Sequence, residues 1–68
     1  MTTKNLNQAV VGDKITQFGV TVLVGPAEVI SVDHTSYGVA SVHVRVADGR
    51  RSFYPAAGML GERKIVVQ

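Results

Sequence analysis

The stretch from Val42 to Pro55 constrains the fold of this chain more than any other part of the sequence. Valine occupies positions 42, 44 and 46, an alternation typical of a β-strand with one apolar face. Asp48-Gly49 follows, and this pair readily adopts the positive φ angles of a tight turn between twisted strands. Arg51 to Tyr54 then supplies the returning strand. The segment therefore predicts a β-hairpin and places the chain among sheet proteins.

The register of this hairpin decides which side chains face solvent. A two-residue Asp48-Gly49 turn predicts Val44 opposite Phe53 and His43 opposite Tyr54, which buries the valine with the phenylalanine. The predicted solvent face then carries His43, Arg45, Arg50, Ser52 and Tyr54, with Arg51 near the rim. In the alternative register, a three-residue turn with Gly49 in a bulge shifts the second strand by one position. That shift turns Phe53 outward and Tyr54 inward. The first register is favoured because it pairs the large apolar side chains.

The size and composition of the chain limit what it can do. Its 68 residues make one domain, near the lower limit at which a single hydrophobic core can offset the entropy of the chain. Hydrophobic residues make up 46% of the sequence but aromatic residues only 6%, so the predicted core is mainly valine. Ile15, Ile30, Leu60, Ile65 and Phe53 are expected to join it. The absence of cysteine excludes disulfides and thiolate metal sites.

The rest of the chain predicts short strands separated by turns. Residues 1–9 are expected to form a flexible N-terminal arm, and residues 10–68 a single small domain. Strands are predicted at 14–18, 20–24, 27–34 and 62–67, besides the hairpin, with one short helical turn near residues 55–60. No helix is long enough for a parallel crossover. We therefore expect an all-β fold, a small and strongly bent antiparallel barrel of five to six strands.

This order of elements resembles the small β-barrels of the Src-homology-three-like architecture, over roughly residues 10 to 67. Within it, the segment Val24 to Val32 resembles the KOW motif of ribosomal and transcription-factor barrels, with Ala27 and Glu28 where that motif usually has glycine. The resemblance implies a small binding module.

The returning strand also resembles part of the plasmid type II dihydrofolate reductases, which are tetramers of a similar barrel. Tyr54 and Pro55 match the tyrosine and proline at the end of their active-site strand. Ser52 stands where that family has a glutamine that helps to hold the ligands. The replacement argues against this activity.

Charge points to a binding function. The chain has a formal net charge of +2, which permits a polyanionic partner. The leading hypothesis is a non-enzymatic module that binds nucleic acid through the hairpin face. The predicted contact residues are His43, Arg45, Arg50, Arg51 and Tyr54. The arginines would bind phosphates, and the tyrosine would stack on a base.

Two other hypotheses remain open. One is a protein-interaction or self-assembling module, such as a phage or plasmid accessory protein, in which strand edges and Val20 to Val24 form the contact. The other is an oligomeric enzyme of the type II reductase kind. No catalytic group, cofactor or metal site is predicted. The chain lacks a signal segment or membrane span, so we expect a cytoplasmic protein. We expect the small barrel to be of bacterial or phage type.

Overall fold

The computed structural model describes residues 1–68 and contains a single antiparallel sheet. Its six strands are β1 (Thr2–Asn5), β2 (Lys14–Phe18), β3 (Thr21–Thr35), β4 (Gly38–Arg45), β5 (Arg51–Pro55) and β6 (Lys64–Val67). Two 3₁₀ turns, Leu6–Gln8 and Gly58–Glu62, are the helical segments, and neither has the length or hydropathy to cross a lipid bilayer. The strand order is β1-β6-β2-β3-β4-β5, so the predicted all-β class is confirmed. The sheet is open, with β1 and β5 at its edges, and does not close into the predicted barrel.

Strand β3 joins the two strands predicted at 20–24 and 27–34. Its N-terminal half pairs with β2 and its C-terminal half with β4, and Glu28 is shared by both pairings. Gly25 and Pro26 do not end the strand because they lie in a bulge. Within this bulge, residues 23–26 have no register partner and face the single residue Thr16 of β2. A proline is tolerated where no ladder hydrogen bond is required of it, and a bulge bends its strand.

The core is small and made mostly of short side chains. Ten apolar residues are buried: Leu6, Ala9, Ile15, Ala27, Val29, Val42, Val44, Ala56, Ile65 and Val67. The predictions for Ile15 and Ile65 are confirmed. Ile30 is only half-buried, since it lies in a register shift between Val29 and Ser31. Leu60 and Phe53 are exposed, so their assignment to the core is wrong.

The N-terminal residues differ from the predicted arm. Strand β1 pairs with β6 from Thr2 opposite Val67 to Asn5 opposite Lys64. Leu6 follows directly and is fully buried, and its amide donates to the carbonyl of Arg63 at 2.8 Å. A lone leucine among polar residues has no apolar period, so sequence patterning does not detect it. Its tertiary contacts place residues 1–9 within the domain.

The hairpin adopts the alternative register, and the favoured one is wrong. Arg45 lies opposite Arg51, His43 opposite Phe53 and Val42 opposite Tyr54. The loop has three residues, because the Val46 amide donates to the Arg50 carbonyl and the Gly49 amide donates to the Val46 carbonyl, both at 2.9 Å. Gly49 has a φ of 92°, as required at the bulge position that follows a type I turn.

Local hydrogen bonds stabilise the longer loop. The Asp48 carboxylate accepts from the Arg50 amide at 3.0 Å and from the Arg50 Nε at 2.6 Å. The Asp48 side chain thereby bridges Gly49 and fixes the position of Arg50, the first residue after the glycine. This turn displaces the returning strand by one residue, which exchanges the two faces of β5.

The burial of Leu6 predicts a large effect of truncation. Leu6→Ala should lower the free energy of unfolding by about 2–5 kcal/mol, because it removes a fully buried side chain and leaves a cavity. Leu60→Ala makes the same chemical change at a residue that is 38% exposed, and should cost about 1 kcal/mol or less. Urea denaturation of both variants measures the difference. Equal losses would show that Leu6 does not pack in the core.

Candidate functional site

Strands β3, β4 and β5 present one solvent-exposed face. Side chains alternate along a strand, so Val42 and Val44 point into the core while the residues between them point out. Cross-strand pairing then groups eight polar or aromatic side chains, which we call the outer face: Glu28, Ser31, Asp33, Ser41, His43, Arg45, Arg51 and Phe53. The β-period and the observed register together determine this grouping.

Two arginines of the outer face lie directly opposite each other without a carboxylate partner. Arg45 and Arg51 are cross-strand neighbours and both are exposed. The three ion pairs of the structure are Lys4–Asp13, His43–Asp33 and Arg50–Asp48, and none includes either arginine. Like charges placed directly opposite destabilise a sheet. The pair therefore forms a local site of positive potential that an anion would relieve.

An aromatic surface lies beside this arginine pair. The Phe53 side chain is 58% exposed, and its ring stacks on the His43 ring with centroids 5.7 Å apart and planes at 29°. Phe53 is two residues from Arg51 along β5, a distance of about 7 Å in an extended strand. An exposed planar ring and two guanidinium groups thus share one side of the sheet.

A hydrogen-bonded cluster holds His43 in place. Its Nε2 lies 2.9 Å from Asp33 Oδ2 and 3.1 Å from Ser41 Oγ, and Ser41 Oγ donates to the same Oδ2 at 3.0 Å. A catalytic Ser-His-Asp triad requires the aspartate on one ring nitrogen and the serine on the other. Here a single nitrogen faces both groups. The cluster therefore orients the imidazole against Phe53 and is not arranged for nucleophilic catalysis.

The same cluster perturbs the carboxyl group. Hydrogen bonds from His43, and secondly from Ser41, hold the pKa of Asp33 below its ordinary value of 3.8. A lowered pKa means that the folded state favours the ionised carboxylate. Its contribution to stability is present above the ordinary pKa, and it is lost as the pH falls through the lower, folded-state value.

Tyr54 is not on the outer face. It shares the core side with Val42, and its ring stacks on Phe18 with centroids 4.5 Å apart and planes at 19°. Burial raises the pKa of its hydroxyl. The guanidinium of Arg63 lies 5.6 Å from the centre of the Phe18 ring. The predicted contact tyrosine is thus a packing residue that joins β5 to β2.

The five residues predicted as a contact surface separate into two groups. His43, Arg45 and Arg51 lie together on the outer face. Arg50 is bound to Asp48 at the hairpin tip, and Tyr54 faces the core. Phe53 was predicted in the interior, and Asp33 was not among the predicted contact residues. The alternative hairpin register was the signal that pointed to Phe53.

No family model matches this chain, and neither the curated proteins nor the solved structures contain a match to it. The chemistry of the outer face, where the unpaired arginines and the exposed ring lie together, is therefore the main indication of function.

The Asp33 cluster yields a prediction about ionisation. The pKa of Asp33, followed by the pH dependence of its carboxyl carbon chemical shift, should lie below 3.8 in the unaltered protein. His43→Asn should raise it, because the largest stabilising hydrogen bond is removed. His34→Asn is the matched control, since His34 acts on Asp33 only through a weaker charge interaction. Equal shifts in both variants would contradict the assigned contact.

Proposed function

We propose that this protein is a non-enzymatic module that binds single-stranded nucleic acid through the outer face. Arg45 and Arg51 bind phosphates, and Phe53 stacks on a base. The observation that carries the proposal is the pair of opposed arginines, free of carboxylate partners, beside an exposed phenylalanine.

The two opposed guanidinium groups repel each other, and this repulsion destabilises the sheet. The nearest acidic side chain in the register is Glu28, opposite Arg45 on β3, and it forms no ion pair with either guanidinium. A phosphate between the two arginines would convert a repulsive contact into two charge-assisted hydrogen-bonding contacts. Release of condensed counterions adds to the gain, which makes the affinity depend on salt.

The preference for a single strand follows from the aromatic ring. Bases in a duplex are already stacked on one another, whereas those of a single strand offer a free face to a side chain. Phe53 supplies such a platform, and the Asp33–Ser41–His43 cluster keeps the histidine ring beneath it in a fixed orientation. A nucleotide bound here contacts Arg51 with its phosphate and Phe53 with its base.

The architecture is compatible with this role. We interpret the bent sheet, with the 3₁₀ turn Gly58–Glu62 before the last strand, as an open form of the Src-homology-three-like architecture. The fold supports a rigid sheet surface on which contact residues sit on strands. We place the protein in the cytoplasm of a bacterium, or among phage proteins, as an accessory factor acting on exposed single strands.

The stacking contact is tested by removing the ring. Phe53→Ala should weaken binding of a fluorescein-labelled single-stranded oligonucleotide by about 1–3 kcal/mol, roughly 5- to 150-fold in Kd. Tyr37→Ala removes a still more exposed aromatic ring from the turn at the opposite end of β4, and should leave the Kd unchanged. Fluorescence anisotropy at low salt measures both. Failure of the unaltered protein to bind any single strand under these conditions would overturn the proposal.

The phosphate contacts are tested by the salt dependence. Arg51→Gln should reduce the slope of log Kd against log salt by about 0.7, the value expected when one cation leaves a single strand. Arg63→Gln removes the same charge at an exposed residue next to Phe18 that is not part of the outer face, and should leave the slope unchanged. Equal slopes for the two variants would show that net charge, and not the outer face, attracts the ligand. Tighter binding to a duplex would contradict the stacking contact.

A further inference from the structure

The N-terminal half of β3 carries an apolar stripe that nothing in the protein covers. Val20 lies in the two-residue turn before the strand, and Val22 and Val24 follow at alternate positions of the strand itself, which point to the same side of an extended chain. Val20 and Val24 are fully exposed, and Val22 is 72% exposed. Alternating valines are ordinarily the buried side of a strand. Here the alternating valine side chains face solvent.

The backbone of the same segment has an unused edge. Strand β2 pairs with Thr21 and Val22 on one side, but β4 starts its pairing with β3 only at Glu28. The hairpin tip approaches further along the strand, where a Cβ on Gly25 would lie 2.7 Å from that of Ala47. Strand β4 therefore does not pair with residues 21–24, which leaves this edge of β3 open. Exposed apolar strand edges are sites at which another chain adds a strand.

The charge distribution along the sequence indicates which chain would add a strand at this edge of β3. From Phe18 to Ala27 no residue is ionisable, although the chain as a whole has a net charge of +2. Contact through this uncharged segment keeps the basic residues of two copies apart. Protective charges that usually prevent edge pairing are absent from it, and Pro26 blocks only its far end. The segment is thus complementary to itself.

The small core gives self-association a thermodynamic reason. Ten buried residues, three of them alanines, stabilise a chain that has no disulfide. Domains of this size gain stability from oligomerisation when the core alone is marginal. Burying the valines of both copies removes apolar surface from water, at about 25 cal/mol for each Å².

We infer that two copies of this protein associate about a two-fold axis through the Val20–Val24 segment, by antiparallel pairing of the N-terminal halves of β3. The two segments form a two-stranded junction in which the valine side chains of the two copies lie side by side on one face and partly cover one another. A two-fold contact uses the same surface on both copies, so the assembly closes at the dimer. The outer face lies on β4, β5 and the C-terminal half of β3, and the inference does not depend on the proposed function.

Sedimentation over the micromolar concentration range tests the inference. The unaltered protein should shift from monomer to dimer mass as its concentration rises. Val22→Lys should remain a monomer at every concentration, because it places a charge in the contact. Val11→Lys is the matched control, since it adds the same charge at another exposed valine outside the segment, and it should dimerise like the unaltered protein.

A milder variant guards against loss of folding. Val22→Thr keeps the β-branched shape, and circular dichroism should show an unchanged sheet signal while the dimer weakens by at least several-fold. A monomeric unaltered protein at the highest concentration would overturn the inference. So would equal loss of the dimer in Val11→Lys, or growth of the unaltered protein into species larger than a dimer.

Discussion

The turn at Ala47, Asp48 and Gly49 is the constraint on which the surface chemistry depends. Its three-residue loop requires a left-handed residue at Gly49, and the Asp48 carboxylate holds the chain on either side of that glycine. Every side chain of β5 then has its face assigned, because a shift of one residue exchanges the two sides of a strand. The exposure of Phe53 and the inward position of Tyr54 are consequences of this one turn.

The interior reinforces that assignment. Tyr54 stacks on Phe18, which links the edge strand β5 to β2 across the bend of the sheet. A core with few large side chains uses the tyrosine ring as apolar volume and leaves its hydroxyl half-buried. Phe53, although more apolar, has no comparable partner on the outer face except the His43 ring. The register therefore satisfies the turn and the core together, while an apolar ring remains in water.

The sequence predicted several elements because their determinants are local. Strand β2, Lys14–Phe18, is found with the predicted boundaries. Strand β1 was missed because a polar strand at the edge of a sheet has no apolar alternation. The predicted break at Gly25-Pro26 became a bulge, since strand continuity depends on which partners lie alongside and not on the two residues themselves.

In the candidate site, too, local residues determined some features and tertiary contacts determined the others. Alternating valines and the Asp48-Gly49 pair by themselves determined that a basic β-hairpin would form, since side-chain period and turn propensity act between near neighbours. Two loop lengths remained compatible with those residues. Only the tertiary structure decided between them, through the Phe18–Tyr54 contact and the buried faces of β4, and so placed Phe53 among the arginines. Contacts between residues distant in the chain contribute free energy that no local sequence pattern reveals. These contacts determined which side of the sheet faces solvent.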